Sequence, residues 1–151
     1  MKILLLMFTL ATPNLLLAQT TNPNYDSALA KKVQADEYGM KNYVFVILKS
    51  GENTSTDKKY KDSCFDGHLK NMKRLAASKQ LIVAGPFAKN ENDFRGLFIL
   101  NVGSIDDANK LLETDPAIKA GFLSTVMIRW YCSAALPEYL DAADKVWKIG
   151  F

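Results

Sequence analysis

The sequence predicts an α+β domain of order β-α-β-β-α-β, with an antiparallel sheet and both helices on one face. Three observations lead there. Four short runs, Tyr43 to Lys49, Leu81 to Ala84, Arg95 to Val102 and Phe122 to Tyr131, are rich in β-branched, aliphatic and aromatic residues, the composition of strands. Two intervening stretches repeat apolar residues at helical spacing: Phe65, Leu69, Met72, Leu75 and Ala76 in one, Ile105, Ala108, Leu111 and Leu112 in the other. Their order along the chain is the split βαβ pattern of the ferredoxin-like fold.

Residues 1–18 stand apart. Lys2 precedes the apolar run Ile3 to Phe8, and Leu15-Leu16-Leu17-Ala18 leads to a polar stretch, which reads as a signal peptide with a small residue at its cleavage point. A membrane anchor is the alternative, but Thr12-Pro13-Asn14 interrupts a run already short of the roughly 20 apolar residues a span needs. The expectation is a periplasmic or secreted protein with no membrane association after signal removal. Residues 19–40 form a polar linker and a short helix capped by Asp26 or Ser27 and ended by Gly39.

The domain proper spans residues 41–133. After the first strand, Ser50 to Lys61 reads as loop, and Asp62 or Ser63 caps a helix running to about Lys79. His68, the only histidine, then falls in the first turns, at the border of the inward face. Gly67 beside it weakens a helix and marks a place where something approaches closely. The second strand closes at Gly85-Pro86. Ser104 caps the second helix with Asp107 in a capping-box position, and Pro116 ends it near Asp115, since the residue before a proline avoids the helical conformation. Residues 134–151 form a C-terminal helical extension that Pro137 can start and that Leu140, Val146 and Trp147 can dock.

Composition narrows the function. Without its leader the chain keeps about 130 residues, enough for one domain with a core. Net charge is +3, and the lysines are scattered rather than striped among aromatics, which argues against nucleic acid. No cofactor is called for. Cys64 and Cys132 invite a disulfide in an exported chain, but the topology puts them at opposite ends of the sheet, so both are expected free unless a dimer brings them together. Cys64 and His68 share i, i+4 spacing, yet two ligands are too few for a zinc site, leaving a cysteine–histidine nucleophile pair as the sharper reading.

The first and third strands are apolar on both alternating sets, and two helices cover one face only. A second copy of the same sheet is the favoured cover for the other; the chain's own extension is the alternative. Topology also gathers candidate site residues at one edge: His68, Gly85-Pro86-Phe87, Arg95 and Asp115. A histidine near a helix N-terminus is disfavoured in its protonated form, so His68 is expected to accept a proton while Asp115 fixes its tautomer. Arg95, with Gly85, Pro86 and Phe87, would hold a small acidic or aromatic substrate. The plainer readings are a hydrogen-bonded boundary histidine, an aspartate that ends a helix and a turn-forming Gly-Pro.

The segments GHLKNMKRLAASKQLIVAGPF, RGLFILNV and DDANKLLETDPAIKAGF resemble the YciI-like family of YCII-related domains over roughly Tyr43 to Tyr131. The resemblance implies a dimeric α+β-barrel and an active site that uses a histidine and an aspartate, matched here by His68 and Asp115, with Gly85 and Pro86 matching the family's AGP turn. One branch of the family resembles a dehydrochlorinating lyase. The leader, the longer first loop and the C-terminal extension depart from the family pattern. Three functions follow as expectations: a small-molecule lyase or isomerase with a His–Asp pair, a non-catalytic dimeric periplasmic ligand-binding module, or a structural partner protein that docks through its C-terminal tail.

Overall fold

The computed structural model describes residues 22–149; the leader reading, residues 1–18, lies outside them. Asp26 caps α1 (Ser27–Val33) by accepting the N–H groups of Ala28 and Leu29. That helix ends five residues before Gly39, at Gln34 in the left-handed conformation, and buries only Val33. The strands β1 (Met40–Ser50), β2 (Leu81–Pro86), β3 (Phe94–Leu100) and β4 (Leu123–Ser133) form one sheet in the order β2-β3-β1-β4, antiparallel throughout. This is the ferredoxin-like arrangement. β1 and β4 pair along their full length, from Met40 opposite Ser133 to Ser50 opposite Leu123.

The helices α2 (Lys58–Ala77), α3 (Ile105–Leu112) and the single turn α4 (Pro116–Lys119) cover one face. Their core holds Val44, Val46, Leu48, Phe98 and Leu100 from the sheet against Leu75, Leu112 and Ala117, a period-2 set meeting helical stripes. α3 starts where expected: Ser104 accepts the Asp107 N–H at 3.1 Å and donates its hydroxyl to the Asp107 carboxylate at 2.7 Å.

α2 departs from expectation. Asp57, not Asp62 or Ser63, is its N-cap, accepting the Tyr60 N–H at 3.0 Å, and Lys58 pairs with Asp62 across the first turn. The polar KKYKD stretch is therefore helix, stabilised by cap and ion pair rather than by an apolar face. The buried stripe also differs: Cys64, His68, Asn71 and Leu75 point inward, whereas Leu69 is 39% exposed. His68 sits at the centre of the inward face, not on its border.

Beyond β4 the chain makes a 3₁₀ turn (Leu136–Glu138) and α5 (Tyr139–Ala143). Leu136 and Leu140 pack on Tyr43, Ile82 and Ile99 at one end of the sheet's second face, and Glu138 pairs with Lys32 of α1 at 2.9 Å. Both cysteines are free thiols. No helix among the described residues is long and apolar enough to cross a membrane.

Candidate functional site

His68 and Asp115, 47 residues apart, meet because α2 crosses the loop that opens α4. Gly67 permits the crossing: a Cβ there would lie 2.6 Å from Cγ of Pro116. The close approach that this glycine marks is made by the proline that follows the aspartate. His68 Nδ1 lies 2.7 Å from Asp115 Oδ2. Asp115 is fully buried and His68 is 8% exposed. Phe98 stacks on the imidazole at 5.8 Å and 21°, while Phe65 meets it edge-on at 6.1 Å.

Asp115 does two things. Oδ1 caps α4, accepting the N–H groups of Ala117 at 3.0 Å and Ile118 at 3.3 Å, with Pro116 in the first helical position. Oδ2 is left for His68. Burial pushes the Asp115 carboxyl upward, but the His68 hydrogen bond and charge, with the two backbone donors, outweigh it and hold the group below the ordinary carboxylate range. The ionised carboxylate accepts only, so a neutral His68 carries its proton on Nδ1 and presents a bare Nε2. Nε2 has no partner among the described residues, and the one sealed side-chain polar atom without a partner is Asn71 Nδ2. The His68 side chain as a whole keeps 10% of its surface accessible.

Asp115 thus initiates a separate turn, α4, rather than ending α3, which stops at Leu112. The helix-dipole argument for His68 does not hold either: it is the eleventh residue of α2, and the dipole effect fades beyond the first turn.

Arg95 is not brought to the pair. It is the unpaired residue where β3 shifts register against β1, between Phe94 opposite Lys49 and Gly96 opposite Leu48, and it is exposed, donating Nε–H to Ser50 Oγ at 2.7 Å. Gly85 and Pro86 do not form a closing turn; they continue β2 opposite Leu97 and Gly96, and as an edge strand β2 tolerates a residue without an N–H. Phe87 follows, 39% exposed, against Phe94 at 6.4 Å. No hydrogen bond or ring contact joins Arg95, Gly85, Pro86 or Phe87 to His68 among the described residues. Sequence reasoning missed Asn71, which is buried one helical step from His68 and bonded to Arg74 and Thr114. An open groove of about 400 Å³ lies between α3, α4 and β4, lined by Leu112, Ile118, Lys119, Thr125 and Met127 among others. No group of three or more His, Cys, Asp or Glu side chains suited to a metal occurs among the described residues.

A ferredoxin-like α+β domain with a buried His–Asp pair between its helices is the class defined by this fold and site. The model of the YCII-related domain matches residues 43–131, and the chain belongs to that family. No curated protein matches it. Among solved structures it is similar to the 5-chloro-2-hydroxyhydroquinone dehydrochlorinase of Burkholderia phenoliruptrix AC1100, determined in complex with 2,5-dihydroxybenzoquinone. Identity is 26%, over 58% of this chain and 92% of that one, with a TM-score of 0.42.

Proposed function

We propose that this YCII-related protein is a lyase or isomerase that moves a proton on a small acidic or aromatic organic molecule, with His68 as the base and Asp115 as its orienting partner. The observation that carries the reading is the buried 2.7 Å bond between His68 Nδ1 and Asp115 Oδ2, which leaves Nε2 without a partner among the described residues. A capping aspartate needs one oxygen for its helix; here the second oxygen fixes an imidazole tautomer. In the reaction Nε2 takes a proton from the substrate, the carboxylate stabilises the imidazolium that forms, and the same nitrogen returns the proton.

The protein acts as a homodimer in this reading, through the sheet face that the helices leave free. Support comes from three cross-strand pairs on that face, Tyr43–Trp130, Phe45–Ile128 and Ile47–Val126, with Val126, Ile128 and Trp130 at 42%, 53% and 36% exposure. Apolar patches of this kind mark association sites. The reading also places the protein outside the cytoplasm, on the strength of residues 1–18.

NMR of the His68 ring tests the chemistry. Additions of 2,5-dihydroxybenzoquinone and of benzoate are expected to shift the His68 Hε1 resonance in the wild type. Asp115→Asn, which keeps the capping oxygen but not the acceptor for Nδ1–H, is expected to remove or reverse that response. A His68 ring indifferent to every probe, and identical in the variant, would sink the enzyme reading and leave a structural histidine.

A further inference from the structure

We infer that Asn71 is a hydrogen-bond donor to the ligand, and that the ligand is an enolisable carbonyl compound whose oxygen meets Asn71 while His68 takes the proton from the adjacent carbon. The inference rests on the proton-transfer reading of the His68–Asp115 pair.

Asn71 occupies a position on the inward stripe of α2 where an apolar side chain is expected, and it is 7% exposed. Its Oδ1 accepts from Arg74 Nη2 at 2.8 Å and Arg74 Nε at 3.2 Å, with Thr114 Oγ1 also 3.0 Å away, its one proton shared with the Leu111 carbonyl at 2.6 Å. A guanidinium only donates, so the amide cannot be turned round, and the other end must be the NH₂ group. That NH₂ is sealed from solvent and has no partner, alone among the side-chain polar atoms of the described residues. A buried donor without an acceptor costs stability and calls for an explanation. Arg74 and Thr114 are both exposed, so Oδ1 faces outward and Nδ2 lies on the inner side of the helix.

The donor is also in register with the base. Side chains three apart on a helix are neighbours, with Cβ atoms about 5–6 Å apart. His68 and Asn71 engage consecutive residues of the facing loop, Asp115 and Thr114. A bare imidazole nitrogen and an unspent N–H donor one helical step away are the two halves of an enolisation site. The base removes the proton, and the donor stabilises charge as it develops on oxygen. Arg74 strengthens that donor by drawing on the amide oxygen.

The step balances within the site. The C–H bond next to the carbonyl breaks, its proton passes to Nε2, its electron pair forms a C=C bond, and the carbonyl pair moves onto oxygen as an enolate held by Asn71. Return of the proton to a different carbon gives an isomerase. Departure of a leaving group with its electron pair gives a lyase.

4-Nitrophenolate, a stable mimic of an enolate oxygen on a ring, tests the assignment by NMR and absorbance titration of the wild type, Asn71→Asp, Asn71→Leu and His68→Gln. In the wild type the Asn71 side-chain amide and the His68 ring are expected to shift together. Asn71→Asp keeps an oxygen for Arg74 and Thr114 but replaces the donor, so binding should weaken at least tenfold, with the His68–Asp115 resonances intact. Asn71→Leu, similar in size and without a donor, should weaken binding by a similar factor. An Asn71 amide that does not respond to millimolar phenolate, or an Asn71→Asp affinity within twofold of wild type, overturns the inference. If His68 still responds and His68→Gln abolishes binding, only the Asn71 assignment falls. If His68 is silent too, the proton-transfer reading falls with it.

Discussion

On the helix-covered face of the sheet, Val44, Val46, Leu48, Phe98 and Leu100 are closed under α2, α3 and α4. On the opposite face the same strands carry Phe45, Ile47, Val126, Ile128 and Trp130, and among the described residues Leu136 and Leu140 cover the Tyr43–Ile99 end. Both faces are apolar, yet the closed one holds the buried histidine, asparagine and aspartate. Polar groups survive in a dry layer only when geometry supplies their partners. The closed face supplies those partners, all but one for Asn71 Nδ2, from the Thr114–Asp115 loop and from Arg74. The open face offers no such frame, and its contribution is area. The proposed chemistry on one side and the proposed association on the other both rest on that difference.

The contrast is broken most severely at Asp115. Asp115→Ala removes a helix cap, which costs about 0.5–2 kcal/mol, and strands a buried imidazole N–H, which costs about 1–3 kcal/mol. A total loss of about 2–4 kcal/mol is expected in urea unfolding. Asp115→Asn keeps the capping oxygen and should lose clearly less. If the two variants are equally unstable, the bond to His68 dominates and the cap is incidental.

Acid should act on the same pair. The folded Asp115 carboxyl is held below its ordinary value of 3.8. The stability that it contributes is therefore present above that value and is lost as pH falls through the folded pKa. Stability curves of wild type and Asp115→Asn should converge below about pH 4. A wild type whose advantage over the variant persists unchanged to pH 2 would show that the pair is not ionised in the way described.

Gly67→Ala tests the crossing that brings the loop to the helix. Alanine favours a helix interior by up to about 1 kcal/mol, but its Cβ meets the Pro116 ring at 2.6 Å, and overpacking costs about 1–3 kcal/mol. A net loss of about 1–2 kcal/mol is expected, together with a shifted His68 ring resonance. A stabilised variant with an unchanged His68 signal would mean that α2 and α4 part freely.

These residues also show what was legible beforehand. The His68–Asp115 pairing followed from strand order, because topology decides which element ends share an edge. Topology does not decide where a side chain at a strand end goes: Arg95 falls where β3 shifts register against β1, and its guanidinium is taken up by Ser50 rather than by the His68–Asp115 pair. The start of α2 at Asp57 was hidden because its first turns have no apolar stripe, only a cap and an i, i+4 pair. Asn71 was invisible for a related reason: a polar residue on an inward stripe looks like an interruption until its partners, 43 residues away at Thr114 and one turn on at Arg74, are seen around it.

The smallest effect on the fold is expected on the open face, and there it is the most informative. Ile128 is 53% exposed, opposite Phe45 at the middle of the uncovered strip. In Ile128→Lys the long side chain can lay its methylenes on the sheet and keep its charge in water. The stability of an isolated chain should therefore change by no more than about 0.5 kcal/mol. A second copy seated on that strip would bring two such lysines into an apolar interface, where unpaired charges are costly. Size-exclusion chromatography with light scattering should show a dimer for the wild type and a monomer for the variant, with the His68 response to probes retained if each site is built within one chain. A variant that keeps the wild-type mass would remove association as the reason for the open face. A variant that turns monomeric and also loses its His68 response would show that the two faces are coupled, the closed site depending on the cover of the open one.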